Sequence, residues 1–119
     1  MAENFKCVYQ GNAQGNSGDP ELVYTVPSSS GSYSLVKIIV VNATPDSTYS
    51  YKCWQDDPTH DENLIVSGNL SYLGLLNGDG FPYDNAKTLP LFVLNEHIGL
   101  YIQSVNKVNW HISVLEYTP

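Results

Sequence analysis

Arginine is absent from this 119-residue chain, and lysine occurs five times, at positions 6, 37, 52, 87 and 107. Twelve carboxylates outweigh them, for a formal net charge of -7. Phosphate recognition rests on clustered Arg and Lys, so this balance argues against nucleic acid and anionic membranes as partners. Long apolar runs are missing as well, and none approaches the ~20 residues of a membrane-spanning helix. Met1-Ala2-Glu3-Asn4-Phe5-Lys6 lacks the basic and apolar regions of a signal peptide, which gives the expectation of synthesis in a cytosol. Cysteine is scarce: Cys7 and Cys53 permit one disulfide and no CxxC pair. Both sit in strand-like alternation, Phe5/Cys7/Tyr9 and Tyr49/Tyr51/Cys53, which would turn both inward and make them possible neighbours. A reducing compartment favours two buried free thiols.

Against these absences stand 42% hydrophobic and 12% aromatic residues with only 14% charged, the balance of a folded chain rather than a disordered one. A chain of this length buries roughly two-thirds of its unfolded surface, enough for a core without staples. Nine tyrosines join a large apolar ring to a hydroxyl that stays wet, which suits half-buried strands and contact surfaces alike.

No segment carries a helical apolar period, whereas short runs rich in Val, Ile, Tyr and Thr recur between clusters of Gly, Pro, Asn and Asp. Strands are expected over Phe5 to Gln10, Glu21 to Val26, Tyr33 to Asn42, Thr48 to Gln55, Asn63 to Val66, Leu70 to Leu76, Lys87 to Leu94, Ile98 to Ser104 and Lys107 to Tyr117. The expected fold is a single all-β domain over residues 1–119, an antiparallel β-sandwich of jelly-roll type with eight or nine short strands. Val108, Trp110, Ile112 and Val114 alternate with Asn109, His111 and Ser113, and Ser104-Val105-Asn106-Lys107 has hairpin length, so the last two strands are expected to pair. Leu35 to Val41 is apolar on both faces apart from Lys37, which fits a central strand or one whose outer face meets another protein. Pro27 ends a strand because it cannot donate to a ladder, and Pro45-Asp46-Ser47 supplies a turn. Gly11 to Pro20, Gln55 to Glu62 and Asn77 to Asn85 read as loops.

Chemistry-bearing patterns are weak. Asp56-Asp57-Pro58-Thr59-His60-Asp61-Glu62 offers hard oxygen ligands and one imidazole, but without the spacing of a calcium loop it reads as a solvated turn. No serine stands in a nucleophile elbow, and neither His97 nor His111 has an orienting partner beside it in sequence. Gly78-Asp79-Gly80 precedes neither a lysine nor a helix start, so it is no phosphate cradle. The expectation is a non-enzyme without metal or cofactor. Sugar binding on an exposed Trp54, with Tyr83 and Asp84, is an alternative, against which stands Trp54 capping the core. The residues proposed as an interaction surface are Tyr24, Tyr33, Trp54, Phe81 and Tyr83. Asn42-Ala43-Thr44 and Asn69-Leu70-Ser71 match the glycosylation pattern, but a cytosolic chain would not use them.

Leu22-Val23-Tyr24-Thr25-Val26-Pro27, followed by Leu35-Val36-Lys37-Ile38-Ile39-Val40-Val41-Asn42, resembles small structural proteins of tailed bacteriophages, in which a YTVP segment precedes such a strand. The similarity continues through Thr88 to Ile102 and Val108 to Glu116. It departs at Glu96-His97, where the pattern has Gly-Asp, and in the acidic insertion Asp56 to Glu62. The resemblance implies a virion component without catalytic residues. It would be a capsid decoration or cement protein on the outer shell surface, or an accessory of neck, tail or fibre. The major capsid protein or other virion proteins would be its partners, and a homotrimer its natural assembly at a capsid axis.

Overall fold

Strand-forming residues interrupted by Gly, Pro and Asn turns divide the chain into short extended pieces, each with an apolar face to bury. The computed structural model describes residues 2–12, 19–72 and 85–119. Among them nine strands form: β1 (Ala2–Asn12), β2 (Glu21–Thr25), β3 (Tyr33–Asn42), β4 (Ser47–Gln55), β5 (Leu64–Tyr72), β6 (Ala86–Thr88), β7 (Phe92–Asn95), β8 (Gly99–Ser104) and β9 (Val108–Thr118). One short 3-10 turn, Asp61–Asn63, joins β4 to β5.

Two antiparallel sheets result. Sheet I runs β1-β9-β3-β6, with β7 also on β3, and sheet II runs β2-β8-β4-β5. The pairs are nested: β4 with β5, β3 with β6 and β7, β2 with β8, β1 with β9. The chain is therefore one antiparallel ribbon, folded back between β4 and β5 and wrapped around a core, as in a jelly roll. The expected β-sandwich is the fold that forms.

Period-two alternation explains the core. Val36, Ile38 and Val40 of β3 and Val108, Trp110, Ile112 and Val114 of β9 face Leu100 and Ile102 of β8, Tyr51 and Cys53 of β4 and Leu70 of β5, all buried. At ~25 cal/mol per Å² of apolar area, complete burial of one such side chain is worth about 1.5–3 kcal/mol. The Trp110 ring meets Tyr51 edge-on at 6.1 Å, and its Nε1 donates to Ser104 Oγ at 2.8 Å.

The expected C-terminal hairpin does not form. β8 has β2 and β4 as ladder neighbours and β9 has β1 and β3, so neither has a free edge for the other. Val105-Asn106-Lys107 instead crosses from sheet II to sheet I, which lets both apolar faces look into the same interior. Among the described non-glycine residues positive φ occurs at Asp46, Asp56 and His97, so this connection has no left-handed residue.

Other boundaries shift for local reasons. The single strand expected over Lys87 to Leu94 is broken at Leu89-Pro90-Leu91 into β6 and β7, because Pro90 has no N–H for the ladder. Two expected strands merge into β5, since Ser67, Gly68 and Asn69 pair with Lys52, Tyr51 and Ser50. The stretch of the second beyond Tyr72 lies outside the described residues. Gly68 admits the Tyr51 ring opposite it: a Cβ there would lie 2.7 Å from the Tyr51 hydroxyl oxygen.

The cysteines are not neighbours. Cys53 is buried in the core, where desolvation pushes its thiol up to about 12, whereas Cys7 is exposed on the solvent side of β1. Phe5 and Cys7 share the register rows of Leu115 and Ser113, on the outward phase of β9, and a bulge then shifts β1 between Cys7 and Tyr9. The alternation of residues 5, 7 and 9 therefore does not continue on one inward face.

Candidate interaction surface

β3 is the central strand its sequence allows, but it is not fully buried. It is central in sheet I, with Ser34, Val36, Ile38, Val40 and Asn42 buried against sheet II, while Leu35, Ile39 and Val41 on its other side are half-buried and Lys37 is exposed. No second layer covers that side among the described residues. Register aligns its outward residues with those of the neighbouring strands. Phe5 pairs with Leu115, Leu115 with Leu35 and Leu35 with Val93, so one apolar row crosses four strands. Phe5 is 74% exposed and Val93 51%. In the adjoining row Tyr33 and Tyr117 stack with ring centroids 4.8 Å apart. Isolated exposed apolar residues are ordinary on a protein surface, but a contiguous row with an aromatic stack beside it makes this face the candidate contact surface.

Charge is sparse on this face. Along its register rows stand Glu3, Lys37 and His111, and Glu3 is the one carboxylate there among the described residues. In a chain with twelve carboxylates this depletion matches the composition of interface centres. Beyond the apolar row the face becomes polar, with a shallow hollow of about 390 Å³ lined by Gln10, Ile39, Val41, Asn109 and His111.

A polar cluster lies inside the sandwich behind the apolar row, at the opposite end of sheet I from the hollow. The Tyr24 hydroxyl donates to Glu116 Oε2 at 2.5 Å and lies 2.7 Å from Ser34 Oγ, and Lys6 Nζ is 3.2 Å from Glu116 Oε1. Burial pushes the Glu116 carboxyl up, but the hydrogen bonds from Tyr24 and Lys6 and the lysine charge outweigh it and hold the group below its ordinary value. Burial, reinforced by the bond to Glu116, raises the Tyr24 phenol. These groups tie β2 of sheet II to β3 and β9 of sheet I.

Of the proposed interaction residues, Tyr33 alone is shown on a surface. Tyr24 is 9% exposed and belongs to the core, whereas Trp54, 6% exposed, is covered on the outer side of sheet II, in the register row of Tyr101 and with Lys52 Nζ 6.0 Å from its ring centroid. Trp54 stands near the end of β4 without joining the core, and at 6% exposure its ring is not free to stack on a sugar. Its Nε1 is buried without a hydrogen-bond partner among the described residues. Phe81 and Tyr83, with Asp84 and Gly78-Asp79-Gly80, lie outside the described residues. Asn42 of the first glycosylation match is buried, its amide donating to the Ser47 and Leu70 carbonyls.

Sequence reasoning singled out the outer face of Leu35 to Val41 but missed Phe5, Val93, Leu115 and Tyr117. A signal was present: the outward phase of β9 is polar through Asn109, His111 and Ser113, then turns apolar at Leu115 and Tyr117.

The acidic loop is held by its own bonds. Asp57 Oδ1 accepts from the Thr59 N–H at 2.9 Å and hydroxyl at 2.8 Å, which lowers its carboxyl below the usual value. His60 lies 3.7 Å from both Asp57 and Glu62. Among the described residues no group of three or more His, Cys, Asp or Glu is placed to hold a metal ion. His111 is exposed on sheet I, and His97 occupies the turn between β7 and β8.

Comparison with protein-family models, curated proteins and solved structures finds no match to this chain.

Proposed function

We propose that this chain is a structural protein of a tailed-bacteriophage virion, a decoration or cement protein that strengthens the capsid through protein contacts and catalyses nothing. The observation that carries the reading is the outer face of sheet I, where Phe5, Leu115, Leu35 and Val93 form an apolar row with few charges that no other described residues cover as a second layer. Such a face is suited to contact with protein rather than to chemistry on a small molecule. The jelly roll, which serves in viral capsid and lectin domains, is compatible but does not by itself assign a role. Acidity suits a position on the outside of a shell, away from packaged DNA.

Quantitative mass spectrometry of purified virions tests the proposal. Copies in simple proportion to the major capsid protein are expected, and cryo-electron microscopy is expected to place them on the outer shell. Absence from the particle, or a few copies confined to the neck, tail or fibre, overturns the decoration role.

A further inference from the structure

The outer face of sheet I has a property that a generic sticky patch lacks: it is complementary to itself. Its columns run β1, β9, β3, then β7 and β6, with shared rows fixed by the ladder register. Consider a two-fold axis lying in the face, parallel to the strands and midway between β9 and β3. The rotation lays β9 of one copy over β3 of the other, and β1 over β7 and β6, while each row keeps its height. Leu115 then meets Leu35, Phe5 meets Val93, and Tyr33 meets Tyr117. The charged groups avoid their own kind, since Lys37 meets Ser113, Glu3 meets Asn95 and His111 meets Ile39. Like charges placed opposite each other would cost stability, and this arrangement has none.

We propose that a second copy of this chain covers the outer face of sheet I in a two-fold, face-to-face stack of sheets. Stacked sheets pack about 10 Å apart with strands within about 30° of alignment, a geometry open to two copies of a twisted sheet. Strand spacing of ~4.8 Å and a rise of ~3.4 Å per residue give the face about 600 Å². Two copies would then bury about 1,200 Å², the lower limit for a specific interface. The remaining acidic surface repels other copies, so association is confined to the one face with few carboxylates. β3, apolar on both sides, then becomes a strand buried on both sides. The inference does not depend on the virion reading, and a two-fold dimer departs from the trimer expected at a capsid axis.

Sedimentation equilibrium of the purified full chain, from about 1 to about 300 µM, covers the affinities at which interfaces of this size operate. The mass is expected to rise from one copy to two. Leu35→Lys and Leu115→Lys, with unchanged circular dichroism, are each expected to weaken association at least about tenfold. Geometry is read separately from a Cys7→Ser background carrying Phe5→Cys and Val93→Cys. Within one chain those positions are three strand spacings apart, about 14 Å, whereas across the stack they face each other at about 10 Å, so a bis-maleimide linker reaching no more than about 10 Å bonds them to each other only between two copies. Peptide mapping is expected to find position 5 linked to position 93. One copy at every concentration, a mass settling at three copies, links joining only 5 to 5 or 93 to 93, or no link at all overturns the proposal. A monomer whose virion incorporation is lost on Leu35→Lys would assign the face to a capsid partner. A dimer absent from virions would leave the stack standing and remove the virion reading.

Discussion

Two tryptophans of similar burial differ in what their indole N–H does, and this sets what each contributes. Trp110 is 2% exposed and donates to Ser104, so replacing it leaves both a void and an unpaired hydroxyl. Trp54 is 6% exposed, but its N–H is buried without a partner among the described residues, and removing it relieves a desolvation cost that offsets lost packing. Trp110→Phe is therefore expected to cost about 2 kcal/mol, and Trp54→Phe less than about 1 kcal/mol, by urea denaturation. Equal losses would contradict this assignment of the two rings. At this scale the sequence is a partial guide. That both tryptophans are large and apolar is legible, but which has a hydroxyl within reach depends on Ser104 lying across the interior from residue 110, a relation between sheets.

Elements were legible where a single strand carries its own pattern. β3 spans Tyr33–Asn42 as expected, because a β-branched run closed by Asn and Pro turns allows little else. β5 was harder to read, since glycine between polar residues looks like a turn. It stays in the strand because the Tyr51 ring lies across Gly68, a contact made with another strand and invisible in the local sequence. Tyr51 is 3% exposed and braced edge-on against Trp110, so it has little room to yield. Gly68→Ala is accordingly expected to destabilise the fold by about 1–3 kcal/mol despite the higher strand propensity of alanine, and Tyr51→Leu in the same chain to recover part of the loss. A neutral Gly68→Ala in thermal melts would show that the ring moves aside freely. The β8–β9 connection carries the complementary lesson. Its length and alternation suit a hairpin, yet a sandwich can use the same features to pass between sheets, and the choice is made by which edges are already occupied.

For the whole molecule, the shifted groups define a pH window. Glu116 titrates below its unfolded value, so its contribution is present above about pH 4.5 and is lost as pH falls through its folded pKa. Cys53 is raised from 9.0 to about 12, so its contribution is complete below about pH 9 and is lost as pH rises towards 12, with Tyr24 acting in the same direction at higher pH. Maximal stability is expected between about pH 5 and 9. Glu116→Gln should flatten the acid limb of a melting-temperature profile, and Cys53→Ala should flatten the limb between about pH 9 and 10 while lowering the plateau. An unchanged profile in either variant would remove that group from the account. Composition, alternation and turn residues determined an all-β chain, its β3 strand and the apolar phase of β9, because these follow from which residues can share one face of a strand. Tertiary structure alone decided that Cys7 faces solvent, that Tyr24 lies inside, that Trp54 is covered on the outer side of sheet II, and that Phe5, Leu115, Leu35 and Val93 form one row. A row across strands is a matter of register, set by pairings between residues up to about a hundred positions apart, and no local window of sequence carries it.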